Sequence, residues 1–337
     1  MNRATFLAAT TALCLFVLAP GAPAAANDSV AVMGTGGLIL QRTDGIVMRS
    51  EDLYVSAEEI RVRYRFFNRT DRDITTMVAF PMPDVVGRPE GDLGISQADP
   101  LRPTPFTTAV DGRVITTNAE QKAVLNGVDY TEMLRGLGVP IAPHLQEATE
   151  ALAALPHPQL EMLIEMGLIE DRSFSHDGVV TVDFAPLWTL KTTHYWTQVF
   201  PAAREMRIDH RYTPAVGGSA GSSIAQADMP YSGVTSDYAA RFCPDQAFVR
   251  GATRLRRRGQ VLTETWVDYV LTTGANWAEP IGEFRLVIDK GSSRNLLTFC
   301  GEGVRRLDAR RFEIRRENFT PTEDLSVLIL TGVRPST

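Results

Sequence analysis

Ile60-Arg61-Val62-Arg63-Tyr64-Arg65-Phe66 alternates between apolar residues and arginines without a break. A period of two places successive side chains on opposite faces of a strand, so this stretch predicts a sheet with one buried and one solvated face. Residues 68–73 are polar and form a turn, and residues 74–80 return as a second strand that Pro81 and Pro83 stop. Upstream, Gly36-Gly37-Leu38-Ile39-Leu40 is a short apolar run. Far downstream the pattern recurs. Met206, Ile208, His210 and Tyr212 alternate with Glu205, Arg207, Asp209 and Arg211, and Thr263, Thr265, Val267, Tyr269 and Leu271 share one face of a later strand. Phe284, Leu286 and Ile288, then Phe312 and Ile314, then residues 327–330 complete the set. Many short strands separated by turn signals predict packed sheets rather than a parallel α/β sheet.

Between the β regions the period changes. Residues 119–125 are rich in helix formers and are followed by Asn126-Gly127, which predicts a short helix with a C-terminal stop. Asp129 with Glu132 resembles a capping box opening a helix that ends near Gly136. Pro143 suits the first position of the next helix, whose apolar face is Leu145, Ala148, Leu152 and Leu155. Pro158 starts another, with Leu160, Leu163 and Ile164 before Gly167. The expected fold is mostly β (α+β overall): a two-part β-sandwich with a helical insertion at residues 118–168, flanked by β regions at 27–117 and 169–337.

Residues 1–26 carry a different message. Met1-Asn2-Arg3 is a short positive segment, residues 4–19 are uncharged and apolar, and Ala24-Ala25-Ala26 offers a small-residue cleavage site before Asn27. This is the three-part pattern of a secretory signal peptide, and the apolar run is short for a membrane span. Cys14 sits inside the run after Leu13, where a lipoprotein signal needs a small residue. Cleavage after Ala26 leaves 311 of 337 residues, lowers the net charge from −6 to −7 and removes Cys14. The remaining Cys243 and Cys300, in an oxidising compartment, predict one disulfide. Its long loop corresponds to about 4 kcal/mol on the chain-entropy model. A redox pair is the alternative, but no C-x-x-C is present. Lysine occurs only at 122, 191 and 290, so arginine supplies nearly all the positive charge; a GC-rich genome is sufficient reason.

The chain is 44% hydrophobic and 22% charged, which excludes a disordered or polytopic membrane protein. Its acidic balance gives no general attraction to nucleic acid. Gly217-Gly218-Ser219-Ala220-Gly221 matches the G-x-S-x-G nucleophile pattern. The elbow needs a strand running directly into a sharp turn and a helix. Here Pro214 precedes it, Ser-Ser-Ile-Ala follows, and all five histidines lie before Ser219, so residues 217–223 are expected to be a flexible loop. His194 and His210 are the two histidines expected on strands, as neighbours in a hairpin turning near residues 201–203. Ser219, His194 and His210 are thus the candidate catalytic residues. No metal-ligand spacing occurs among the histidines, and neither a metal nor another cofactor is expected. Arg256, Arg257 and Arg258, with Arg254, form the densest basic run, and a solvated hairpin tip or an anion site both suit it. Trp266 between Glu264 and Asp268 is a candidate sugar-stacking surface, or packs in a second layer. Asn27, Asn68 and Asn318 begin sequons, which matter only in a host that glycosylates asparagine.

Several stretches resemble a bacterial exported family known as domain of unknown function 4424. They include Ser50-Glu51-Asp52-Leu53-Tyr54-Val55-Ser56, Ala79-Phe80-Pro81-Met82-Pro83-Asp84, His194-Tyr195-Trp196-Thr197-Gln198-Val199-Phe200-Pro201 and Leu271-Thr272-Thr273-Gly274-Ala275-Asn276-Trp277. The resemblance implies a bacterial, exported protein and transfers no activity, substrate or site residue. The resulting expectation is a periplasmic or secreted protein without a membrane span after cleavage. It is expected to be a non-catalytic module that binds an envelope protein or surface polymer. A hydrolase using Ser219 or His210, and a glycan-binding protein centred on Trp266, are the alternatives.

Overall fold

The computed structural model describes residues 27–34, 37–87, 92–93, 106–226 and 235–334. The expected signal peptide lies outside them. Among the described residues, three large sheets and two small hairpin sheets account for most of the chain. One sheet of eight strands runs in the order Arg305–Arg306, Arg311–Phe319, Ile281–Asp289, Ile46–Val55, Ile60–Asn68, Glu205–Tyr212, Thr107–Val110 and Arg113–Ile115. The second contains Ser29–Gly34, Ile74–Pro81, Thr189–Phe200 and Asn118–Leu125 at its centre. The third is built on Val261–Tyr269 and Leu325–Val333. The fold is mostly β with five α-helices among the described residues, as the periodicities imply.

The core explains the layering. Tyr64 and Phe66 from the eight-stranded sheet, Phe80 and Trp196 from the second, and Tyr269 and Ile329 from the third belong to one apolar cluster. One layer is therefore the eight-stranded sheet, and the other two sheets together cover its inner face. The β regions before and after the helices contribute to the same sheets: Ile281–Asp289 pairs in parallel with Ile46–Val55.

Helices α1 (Thr131–Gly136), α2 (Gln146–Ala153) and α3 (His157–Glu165) enclose a second core with Trp188 and Leu190. The helical segment is shorter than expected. Residues 119–125 are strand: Asn118–Leu125 pairs antiparallel with the Thr189–Phe200 strand. Sheet pairing overrides the helix preference of Ala, Gln, Lys and Leu there. Asn126 (φ 51°) and Gly127 (φ 81°) form the two-residue turn of a hairpin instead of a helix end. Asp129 accepts from Thr131 N at 2.9 Å at the start of α1, while Pro143 precedes α2 outside the helix.

The third sheet is backed by α4 (Ser236–Phe242) and α5 (Gln246–Arg257), which bury Phe242, Phe248, Leu262, Leu328 and Leu330. Alternation along Val261–Tyr269 serves both layers, since Val267 and Tyr269 face the main core while Leu262 and Trp266 face these helices. Cys243 and Cys300 are bonded, tying the end of α4 to the residue following strand Leu296–Phe299.

Candidate functional site

The chemistry-bearing side chains divide between the two faces of the eight-stranded sheet. On the inner face, Tyr64 and His210 project into the core from adjacent strands, in the apolar register their sequences indicate. Glu51 joins them for a reason that alternation alone does not reveal. The pairing of Ile46–Val55 with Ile60–Asn68 is regular up to Met48 opposite Phe66, then resumes with Ser50 opposite Arg65. The bulge inserts Arg49 and reverses the parity of the later residues on its strand. Met48 is buried before it, and Glu51, Leu53 and Val55 are buried after it. Glu51 thus stands directly opposite Tyr64.

Asn27 and Asp28 complete the cluster from the start of the described chain, and both are fully buried. Asp28 Oδ1 lies 3.0 Å from His210 Nε2, and His210 Nδ1 lies 3.0 Å from Thr108 Oγ1. Asn27 Nδ2 donates to Glu51 Oε2 at 3.0 Å, and Tyr64 Oη donates to Asn27 Oδ1. The Tyr64 and Tyr269 hydroxyls are 3.1 Å apart. Trp277 Nε1 donates to Asp28 O at 2.7 Å. Among the described residues, Glu51 Oε1 and Asp28 Oδ2 of this cluster have no hydrogen-bond partner.

Burial dominates the electrostatics. It pushes the Glu51 carboxyl up to about 8, against the Asn27 hydrogen bond and with a further push from Asp28. It also raises Asp28, with His210 opposing, and holds the Tyr64 and Tyr269 hydroxyls well above their ordinary value. Burial, and then the charge of His210, lowers His194 to about 4. Hydroxyl, imidazole and carboxylate are in line at Thr108, His210 and Asp28, the order of a nucleophilic triad. All three are sealed in the core, so no substrate meets them as the chain is folded.

The outer face is the opposite. Arg61, Arg63 and Arg65 point to solvent and interleave with carboxylates on the flanking strands, as in Arg63 with Asp209 at 3.6 Å and Arg285 with Asp52 at 2.9 Å. Glu313 is ringed by Arg285 at 2.8 Å, Arg305 at 2.5 Å and Arg315 at 3.1 Å. Their hydrogen bonds, that of Arg315 foremost, lower its carboxyl to about 2. At one end of this face an open groove of about 910 Å³ is lined by Arg49, Arg65, Phe67, Arg69, Glu279 and Glu283, among others. The Arg49 guanidinium stacks 3.8 Å above the Phe67 ring. The ion pairs of Arg49 with Glu205 (3.5 Å) and of Arg65 with Glu205 (3.9 Å) and Glu283 (3.6 Å) are long.

The remaining candidates are dispersed. His194 and His210 are not hairpin neighbours: their strands follow one another in sequence but lie in different sheets, because residues 201–204 carry the chain from one layer to the other. Their rings meet across the sandwich through Phe106, stacked 4.1 Å from His194 and 5.1 Å from His210. Ser219 ends the short strand Val216–Ser219, so residues 217–219 are not loop; they pair with Val261–Tyr269. Its Oγ donates to Gly221 O at 2.8 Å. Trp266 donates to Glu264 Oε2 at 2.9 Å, and Glu264 is buried and accepts from Tyr238 of α4. Arg241 of α4 lies over the indole and bonds Asp268 at 2.8 Å. Arg254, Arg256 and Arg257 fall in the last turn of α5 rather than on a hairpin tip, because Asp245 caps that helix and its C-terminus favours cations. Arg256 donates to the Ile224 and Ser222 carbonyls, whereas Arg257 and Arg258 are exposed. The sequons at Asn27 and Asn68 are closed by burial.

Among the described residues, no group of three or more His, Cys, Asp or Glu is placed to hold a metal ion. No helix there is long and apolar enough to cross a membrane.

The model of the family described as "Domain of unknown function (DUF4424)" matches residues 26–328. No curated protein matches the chain in sequence. Among solved structures, one from Legionella pneumophila subsp. pneumophila, titled a "putative nutrient binding protein", is 14% identical. It aligns over 91% of this chain and 70% of that chain with a TM-score of 0.43. An M1 zinc metallopeptidase from Deinococcus radiodurans is 8% identical over 86% of this chain and 43% of that chain, with a TM-score of 0.18. Similarity at this level bears on neither ligand nor chemistry.

Proposed function

The chain belongs to the DUF4424 family, and from that premise we propose that it is an exported, non-catalytic binding module of the cell envelope. Its binding surface is the charged outer face of the eight-stranded sheet. The observation that carries this reading is the division of the polar residues. The imidazole and carboxylates suited to catalysis are sealed inside, while Arg49, Arg65 and Arg69 line an open groove on the sheet with Phe67 and with Glu279, Glu283 and Glu317.

Long ion pairs leave donor capacity on Arg49 and Arg65, and guanidinium groups recognise carboxylates and phosphates in a bidentate manner. The matching occupant is an acidic segment of an envelope protein, whose carboxylates replace Glu205 and Glu283 on these arginines.

The test is a photocrosslinking residue at position 283 in the native envelope. One discrete protein adduct is expected, and it should be lost when Arg49→Glu and Arg65→Glu are introduced together. An adduct pattern that the double substitution leaves unchanged would dismiss this face as the binding surface.

A further inference from the structure

The sealed cluster holds two carboxyl groups with fewer hydrogen-bond partners than their oxygens can accept. Among the described residues, the side chain hydrogen-bonded to Asp28 is His210 and the side chain hydrogen-bonded to Glu51 is Asn27. Each carboxyl also keeps one oxygen without a hydrogen-bond partner in a fully buried setting. A buried acceptor left unmade is costly, and a charged one more so. We propose that the missing donor is the chain's own α-amino group, released by cleavage between Ala26 and Asn27 and seated in this pocket.

The seat is built around Asn27. Its backbone nitrogen donates to Thr273 Oγ1 at 2.5 Å, and Thr273 Oγ1 in turn donates to Asn27 O at 2.7 Å. Its side chain is held at both ends, by Glu51 and by Tyr64. Gly274 gives it room, since a Cβ at that position would stand 2.7 Å from Asn27 Nδ2. An amide nitrogen has one hydrogen to donate; an ammonium has three and a positive charge. The two additional donors and the charge arise on the residue that already bonds Glu51 and is covalently joined to Asp28, the two residues with unmatched oxygens.

The covalent step is hydrolysis. The Ala26–Asn27 amide bond breaks, the hydroxyl of water goes to the Ala26 carbonyl carbon and its hydrogen to the Asn27 nitrogen, which takes a further proton from solvent. Cleavage therefore does more than remove a leader: it supplies donors and a charge beside the two carboxyl oxygens that lack partners. A chain still carrying residues 1–26 lacks that cation and folds less stably. This inference rests on the export reading, and the experiment separates the two.

The chain recovered from the native envelope is first sequenced from its N-terminus, with Asn27 expected as residue one. A chain recovered there uncut would overturn both readings, and a chain exported but cut at another bond would overturn the pocket alone. Three purified chains are then compared by denaturant unfolding: one beginning at Asn27, the same chain with its amine acetylated, and one beginning at Ala26. The free-amine chain at Asn27 should exceed the other two by about tenfold or more in its folding equilibrium constant, as for a buried charge-assisted hydrogen bond. Glu51→Gln should remove that advantage and leave the acetylated chain no less stable than before. Equal stability of the free and acetylated wild-type chains would overturn the proposal, and this comparison does not depend on any substitution folding.

Discussion

Glu51 and Glu313 are both buried glutamates of the same sheet, and their surroundings set them apart. Glu313 touches three guanidiniums and its carboxyl falls to about 2. Glu51 has an amide for a partner and rises to about 8. Burial in the core raises Glu51, whereas a covering of guanidiniums at the surface lowers Glu313. Arg285, Arg305 and Arg315 reach Glu313 from the solvated side while keeping part of their surface in water, an option the closed inner face denies to Glu51.

The sharpest way to break the contrast is on the inner face. His210→Ala leaves the buried Asp28 carboxyl without its side-chain partner and should cost about 3–5 kcal/mol in denaturant unfolding. Adding Asp28→Asn should recover part of that loss. If it recovers nothing, the loss came from packing of the ring and not from the contact with Asp28.

Glu313→Ala should cost less, about 1–2 kcal/mol, because its three partners remain partly solvated. Its pH signature is distinctive. The folded-state carboxyl lies below its ordinary value of 4.5, so its stabilisation is present above that pH and disappears as pH falls toward 2. Glu313→Gln should flatten the acid arm of the stability curve, and an unchanged acid arm would count against the three-arginine cage.

Glu51 has the opposite sign. With the Asn27 nitrogen acylated, its folded-state carboxyl lies above 4.5, so its favourable contribution is complete below that pH and is lost as pH rises through about 8. Glu51→Gln in the acetylated chain should flatten this decline between pH 4.5 and about 8. A decline of the same steepness would assign it to other groups.

The smallest effect is expected on the outer ladder. Arg63→Ala, whose ion pair with Asp209 spans 3.6 Å between partly exposed groups, should change stability by less than about 1 kcal/mol. A larger loss would mean that this face contributes to stability like the inner one.

Much of this architecture is readable in the residues. Period two from Ile60 to Phe66 and from Met206 to Tyr212 assigns the buried faces, including His210, and the cysteines surviving the expected cleavage pair as Cys243–Cys300. The features that stay hidden have identifiable causes. Glu51 lies beyond a bulge, and one inserted residue reverses every side chain after it. Asn27 and Asp28 are polar residues next to a cleavage motif, where exposure is the natural expectation, and only long-range contacts with Thr273, Trp277 and His210 bury them. Residues 119–125 are helix formers held in a strand by their neighbour at 189–195. The histidine strands are adjacent in sequence, yet the turn between them crosses layers.

The most direct measurement of the central claim is a carbon-13 NMR titration of the Glu51 side-chain carboxyl in the chain acetylated at Asn27. A midpoint near 8 is expected, the signature of a carboxyl sealed in the core with an amide as its partner. A midpoint in the ordinary glutamate range, near 4.5, would show that the cluster is hydrated or already compensated, and would contradict that claim.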